Sequence, residues 1–142
     1  MLSLTKIVHF EMAHAIHGYP GNCKNIHGHS YELHVTVCRE DNSEDYIEAP
    51  GFLIDFKDLK QLVSTTVIDA FDHKIILSSN YLKDYPELSR LQNLVTWERE
   101  PSAENMVLYI RQIIDQNLPK GIRLKELKLY ETADSYAEWC CE

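Results

Sequence analysis

Cys23-Lys24-Asn25-Ile26-His27-Gly28-His29-Ser30-Tyr31-Glu32-Leu33-His34-Val35-Thr36-Val37-Cys38-Arg39 is the stretch that decides the fold. From about His27 it alternates with a period of two. His27, His29, Tyr31, Leu33, Val35 and Val37 fall on one face, and Ser30, Glu32, His34, Thr36 and Cys38 on the other. A helix would scatter that pattern around its axis, so the segment reads as a strand with one face turned to a core. Upstream, Ile7 to His14 alternates in the same way and sets Phe10, Met12 and His14 on a shared face. Gly18-Tyr19-Pro20-Gly21-Asn22 between the two strands has turn chemistry, and the acidic stretch Glu40 to Glu48 reads as the loop that follows.

Working outward, Asp55 can cap a helix from Phe56 to about Ala70, with Leu59, Leu62, Val63 and Val67 on its buried side. A second helix starts at Pro101-Ser102, carries Met106, Val107, Ile110, Ile113, Ile114 and Leu118 at helical spacing, and stops at Leu118-Pro119-Lys120-Gly121. Two more strands follow, around Arg123–Glu131 and Ser135–Trp139. The segment from Ile75 to Arg99 shows no deciding pattern. The order ββααββ predicts one α+β domain over residues 1–142, an antiparallel β-sheet with two helices on one face.

The 142 residues suit a single domain able to bury roughly 70% of its unfolded surface. An apolar content of 44% with 25% charged residues is that of a soluble globular protein. Met1 to Lys6 has no apolar stretch behind it, which predicts neither a secretory signal nor a membrane span. Cys23, Cys38, Cys140 and Cys141 form no C-x-x-C and no disulfide framework, so a reducing cytoplasm is expected. A formal net charge of −8 with no basic cluster argues against a nucleic-acid partner.

Five of the seven histidines lie between His14 and His34. His27 and His29, one residue apart on a strand, put both imidazoles on the same face, and His14 can add a third nitrogen if the two strands pair antiparallel. Three neutral imidazoles with an open position suit catalytic Zn²⁺, which polarises a substrate hydroxyl or carbonyl; the plain alternative is strand histidines that only hydrogen-bond. His9, His17 and His34 read as structural or surface residues. Cys23, in the turn before His27, is a base or nucleophile, a fourth metal ligand, or a small buried apolar residue. Asp72-His73 is a carboxylate–imidazole pair able to relay a proton near neutral pH, although such neighbours are common by chance. Glu131, at the end of an apolar strand, can clamp a planar ligand offering two parallel N–H donors, or simply face solvent.

Together these residues resemble the 6-pyruvoyl-tetrahydropterin synthase / 6-carboxy-tetrahydropterin synthase family over nearly the whole length of the sequence. Phe10-Glu11-Met12-Ala13-His14 is similar to its first-strand motif, and Cys23 through Tyr31 to its cysteine and H-G-H element. Gly51-Phe52-Leu53-Ile54-Asp55-Phe56, Asp72-His73, Pro101-Ser102-Ala103-Glu104-Asn105 and Leu129-Tyr130-Glu131-Thr132 follow in the family's order. The resemblance implies a tunnelling fold (T-fold) in which subunits join their sheets into a barrel, as trimers that stack into hexamers with active sites at subunit interfaces. It implies zinc on His14, His27 and His29, Cys23 as the proton-abstracting base, Asp72 and His73 as the proton relay, and Glu131 holding the pterin ring of 7,8-dihydroneopterin triphosphate.

The family has two activities. One eliminates triphosphate to give 6-pyruvoyl-tetrahydropterin; the other releases acetaldehyde and leaves 6-carboxy-tetrahydropterin on the way to queuosine. Only Lys24, Asn25 and Ile26 separate Cys23 from His27, and Ser30-Tyr31 follows, as in the carboxy-forming branch. The expected function is therefore a zinc-dependent 6-carboxy-tetrahydropterin synthase. The pyruvoyl-forming activity is the alternative, and a non-catalytic zinc or pterin-binding protein on the same fold is the second. Lys74-Ile75-Ile76-Leu77-Ser78 departs from the family's usual residues after Asp-His, Met12 replaces a smaller residue, and Ser102 replaces a usual Thr. A triphosphate substrate calls for local basic residues, of which Lys24 is the one the motif offers.

Overall fold

The alternation near the N-terminus becomes a long antiparallel hairpin. In the structure, a computed structural model describing residues 1–141, β1 (Ser3–His14) pairs with β2 (His27–Arg39) from Ser3 opposite Cys38 to His14 opposite His27. Val8, Phe10, Met12 and His14 of β1 and Tyr31, Leu33, Val35 and Val37 of β2 are buried, so the face read from the sequence is the core face.

The expected first helix forms, with an internal irregularity. Asp55 Oδ1 accepts the Lys57 N–H at 2.7 Å and caps α1 (Phe56–Val63). The helix widens into a π-helical stretch, Ser64–Ile68, and closes with α2 (Asp69–Phe71). Thr65 and Thr66 donate their hydroxyls back to the Gln61 and Leu62 carbonyls, a competition with the helical ladder that suits the widened turn.

The segment without a sequence pattern supplies two further strands and corrects the expected ββααββ order. β3 (Lys74–Ser78) runs parallel to β1, and β4 (Leu94–Trp97) parallel to β3; α3 (Ser79–Asp84) and a 3₁₀ turn lie between them. The sheet is therefore mixed rather than purely antiparallel. Ile75-Ile76-Leu77 is a continuous apolar run because the strand is covered on both faces. Ile76 joins the main core, and Leu77, facing the other way, packs with Ala15 and Tyr81.

α4 (Ala103–Asp115) begins where expected: Ser102 Oγ accepts the Asn105 N–H at 3.3 Å. β5 (Ile122–Thr132) and β6 (Ser135–Cys140) complete, among the described residues, a six-stranded sheet in the order β4-β3-β1-β2-β5-β6. The α1–α2 body and α4 share one face. Leu59, Val63, Phe71, Met106, Ile110 and Ile114 meet Phe10, Leu33, Leu127 and Leu129 there. The opposite face carries side-chain pairs such as Thr5–Thr36 and Glu32–His34. Among the described residues, no helix is long and apolar enough to cross a membrane.

Candidate active site

Hairpin pairing brings the three imidazoles together. His14 ends β1 directly opposite His27, which begins β2, and His29 follows on the same face. One ring nitrogen from each lies within 4.8 Å of the others. The α4 N-terminus lies over the end of β1, which leaves His14 only 3% exposed, with its Nδ1–H donating to the Pro101 carbonyl at 2.6 Å. His27 Nδ1–H donates to the Asn25 carbonyl at 2.7 Å. With both Nδ1 atoms used as donors, the two Nε2 atoms carry lone pairs, and they face each other at 3.1 Å.

Two lone pairs at that distance repel unless a proton or a cation stands between them. Burial, the largest influence on His14, lowers its pKa and favours the neutral ring, against the pull of Pro101 and Glu131. Tetrahedral zinc with bonds of about 2.0–2.1 Å sets its nitrogens about 3.3 Å apart. Carbonyl partners that fix the tautomer are the usual support of histidine ligands. The donor set fits a zinc-type ion.

The histidines open into a cavity of about 760 Å³, a volume suited to a small-molecule ligand. Cys23 and Glu131 line it, so five of the seven site residues named from the sequence share one space. Cys23 is exposed on a one-turn 3₁₀ helix (Asn22–Lys24). That turn is pinned from two sides: Ile16 N–H donates to the Cys23 carbonyl at 2.8 Å, and the Tyr81 hydroxyl to the Lys24 carbonyl at 2.9 Å. The reading of Cys23 as a small buried residue is overturned. Val107, Leu108, Ala137 and Trp139 give the cavity an apolar wall suited to a flat ring.

Asp72 and His73 are not brought into this cavity. His73 borders a second hollow of about 450 Å³ that shares only His29 with the first. Asp72 Oδ1 accepts the Glu11 N–H at 2.9 Å, and the His73 N–H donates to the Glu11 carbonyl at 2.7 Å. The pair thus grips both main-chain groups of one β1 residue. That hydrogen bond from Glu11, more than the His73 ring, holds the Asp72 carboxyl below the usual carboxylate range. His73 adopts φ 59°, and its Nδ1 lies 3.0 Å from Asp72 Oδ2, with the ring largely exposed. Lys24 is not among the residues lining the first cavity, nor is any other lysine or arginine of the described residues.

The other histidines stay apart, as expected. His34 pairs with Glu32 at 2.7 Å, His9 lies 3.7 Å from Glu32, and His17 pairs with Asp84 at 2.8 Å. Sequence reading gave no role to Tyr31, whose buried hydroxyl lies 3.4 Å from Glu131 Oε1 and 3.5 Å from His14 Nδ1. Burial, and then the charge of Glu131, raise its pKa, so the phenol stays protonated and donates. The Pro101 and Asn25 carbonyls also went unread, because a main-chain partner leaves no mark in the residue types.

This sheet and its helical face define a fold seen in solved structures. An uncharacterized Wolinella succinogenes protein superposes with a TM-score of 0.79 at 16% identity, covering 99% of this chain and 98% of that one. The 6-pyruvoyl tetrahydropterin synthase of Caenorhabditis elegans superposes with a TM-score of 0.69 at 19% identity, covering 99% and 96%. The 6-pyruvoyl tetrahydropterin synthase family model matches residues 3–140, and the chain belongs to that family. Among its relatives, the 6-carboxy-5,6,7,8-tetrahydropterin synthase of Haemophilus influenzae is 27% identical over 98% of this chain and 99% of the relative. The protein of that name from Aquifex aeolicus is 31% identical over 82% of this chain and 75% of the relative.

Proposed function

We propose that this protein is a zinc-dependent 6-carboxy-tetrahydropterin synthase. It would convert 7,8-dihydroneopterin triphosphate and water to 6-carboxy-tetrahydropterin, acetaldehyde and triphosphate. The observation that carries the reading is the convergence of three histidines, two of them fixed by carbonyls, an exposed cysteine and a carboxylate on one cavity. Full-length relatives that bear the 6-carboxy name support this branch of the family, as does the three-residue spacing from Cys23 to His27.

His14, His27 and His29 would hold the zinc through Nε2 or its equivalent. Bound there, zinc supplies Lewis-acid chemistry that acidifies a substrate C–H next to an oxygen. Glu131 accepts two parallel N–H groups from the pyrimidine edge of the ring, a charge-assisted geometry specific for that edge. The apolar wall from Val107 to Trp139 packs against the ring face and excludes water. Cys23 takes that substrate proton from the exposed side of the cavity.

Asp72 orients His73 through Nδ1 and leaves Nε2 free to exchange protons with substrate. Since His73 borders a different hollow of its own subunit, the relay suits a site completed by a second copy, consistent with a trimer or a dimer of trimers. The absence of lysine and arginine from the cavity lining, among the described residues, points the same way, because a triphosphate needs cations. The outer strands β4 and β6 have unpaired edges through which copies can join.

Incubating zinc-loaded protein with 7,8-dihydroneopterin triphosphate and identifying products by mass spectrometry tests the reading. Acetaldehyde with 6-carboxy-tetrahydropterin is the expected result. A pyruvoyl product without acetaldehyde replaces it with the activity in the family's own name, and absence of turnover favours a binding protein.

A further inference from the structure

We propose that Tyr31 is a positioning residue of this site, its hydroxyl holding the Glu131 carboxylate for the ring and away from the metal; the inference rests on the pterin-synthase reading above. Tyr31 is fully buried. Its ring stacks on Phe10 at 5.1 Å with an interplanar angle of 10°, and meets the His29 ring edge-on at 5.5 Å. A phenylalanine would fill the same space and make the same ring contacts. The hydroxyl therefore needs its own account, since burying one without a partner is costly.

Its partners are Glu131 Oε1 at 3.4 Å and His14 Nδ1 at 3.5 Å. Both contacts are long, a geometry that tightens when the groups are drawn onto a ligand. Tyr31 does not line the cavity, so it acts through these two neighbours. Glu131 Oε1 also lies 3.7 Å from His14 Nε2, the nitrogen assigned to the metal. A carboxylate oxygen so close to a metal ligand can swing onto the ion as a further ligand. The Tyr31 O–H donates to that same oxygen and engages the lone pair that would otherwise be offered to the cation. The hydroxyl thus separates two uses of one carboxylate, ring clamp and metal ligand.

The test uses cobalt-loaded protein in four forms: wild type, Tyr31→Phe, Glu131→Gln and the double variant, with near-UV circular dichroism confirming the fold of each. Binding of pterin is read by its fluorescence, and metal coordination by the visible cobalt spectrum. Tyr31→Phe is expected to bind pterin roughly tenfold more weakly and to show a weaker, shifted cobalt band from an added carboxylate ligand. In the Glu131→Gln background the same change should leave the cobalt band as in wild type and cost less than about twofold in binding, the non-additivity of groups acting as a unit. A Tyr31→Phe protein matching wild type in both readouts overturns the proposal, as does a binding loss of equal size in both backgrounds. A wild type that binds no pterin overturns the underlying reading instead, and the cobalt spectra still decide whether the hydroxyl restrains Glu131.

Discussion

Glu131 Oε1 and His14 Nε2 lie 3.7 Å apart, so the group assigned to the pterin ring and a nitrogen assigned to the metal share one wall of the cavity. Glu131→Gln keeps the shape of that wall and removes its charge. Hydrogen bonds to a charged group contribute about 1.5–3 kcal/mol each, so pterin binding should weaken roughly tenfold to a hundredfold. Zinc content, measured by plasma mass spectrometry, should not change. A large loss of zinc would show that the carboxylate serves the metal instead.

The facing lone pairs of His14 and His27 would make a bound metal a stabilising partner. Zinc at a hundredfold excess over its Kd should raise unfolding free energy by about 2.7 kcal/mol, and a chelator should reverse the gain. His27→Ala should abolish stoichiometric zinc binding in the same assay. A melting temperature indifferent to zinc and chelator would count against the site.

Cys23→Ala separates two roles for the thiol. As the base, Cys23 should carry about 10²–10⁴-fold in kcat, with pterin affinity and zinc content unchanged. As a fourth ligand it should give a thiolate charge-transfer band in the cobalt protein. That band, persisting with substrate bound, would reject the role of base.

Asp72 sets a pH dependence whose sign is fixed by its hydrogen bond from Glu11. Its folded pKa lies below the ordinary 3.8. The stability it contributes is therefore fully present above that value and is lost as pH falls through the lower folded pKa. The urea midpoints of wild type and Asp72→Ala should differ by a constant amount from pH 7 to about 5 and converge below pH 4. A difference that widens in acid would contradict this.

Legibility followed periodicity. The hairpin of β1 and β2, the capped starts at Asp55 and Ser102, and β5 and β6 were all readable, because each has one buried face and an ordered alternation or helical stripe. β3 and β4 were not. Five and four residues are too few to show a period, and Lys74-Ile75-Ile76-Leu77-Ser78 hides its direction by being apolar on both sides. The π-helical stretch at Ser64–Ile68 left no mark beyond two threonines, which are common in ordinary helices. In the site, the clustering of His14, His27 and His29 was readable from H-x-H on a strand with an antiparallel neighbour, whereas Cys23 and Glu131 were singled out by the family resemblance, their types and spacing leaving plainer readings open. The separate placement of Asp72 and His73 was not readable, since it depends on β3 joining the far side of β1.

The exposed thiol of Cys23 has a consequence for handling the protein. A cysteine open to solvent is attacked by peroxide and passes first to a sulfenic acid. That stage is reversible: added reductant returns it to the thiol, and a neighbouring protein thiol would trap it as a disulfide. The cavity lining offers none among the described residues, Cys38 is buried, and Cys140 and Cys141 lie at the end of β6. Unprotected sulfenate goes on to sulfinic and sulfonic acids, from which reductant does not bring it back. If Cys23 is the base, protein over-oxidised at Cys23 should lose turnover while zinc loading and pterin affinity survive, so early and continuous reductant decides which form an assay reports.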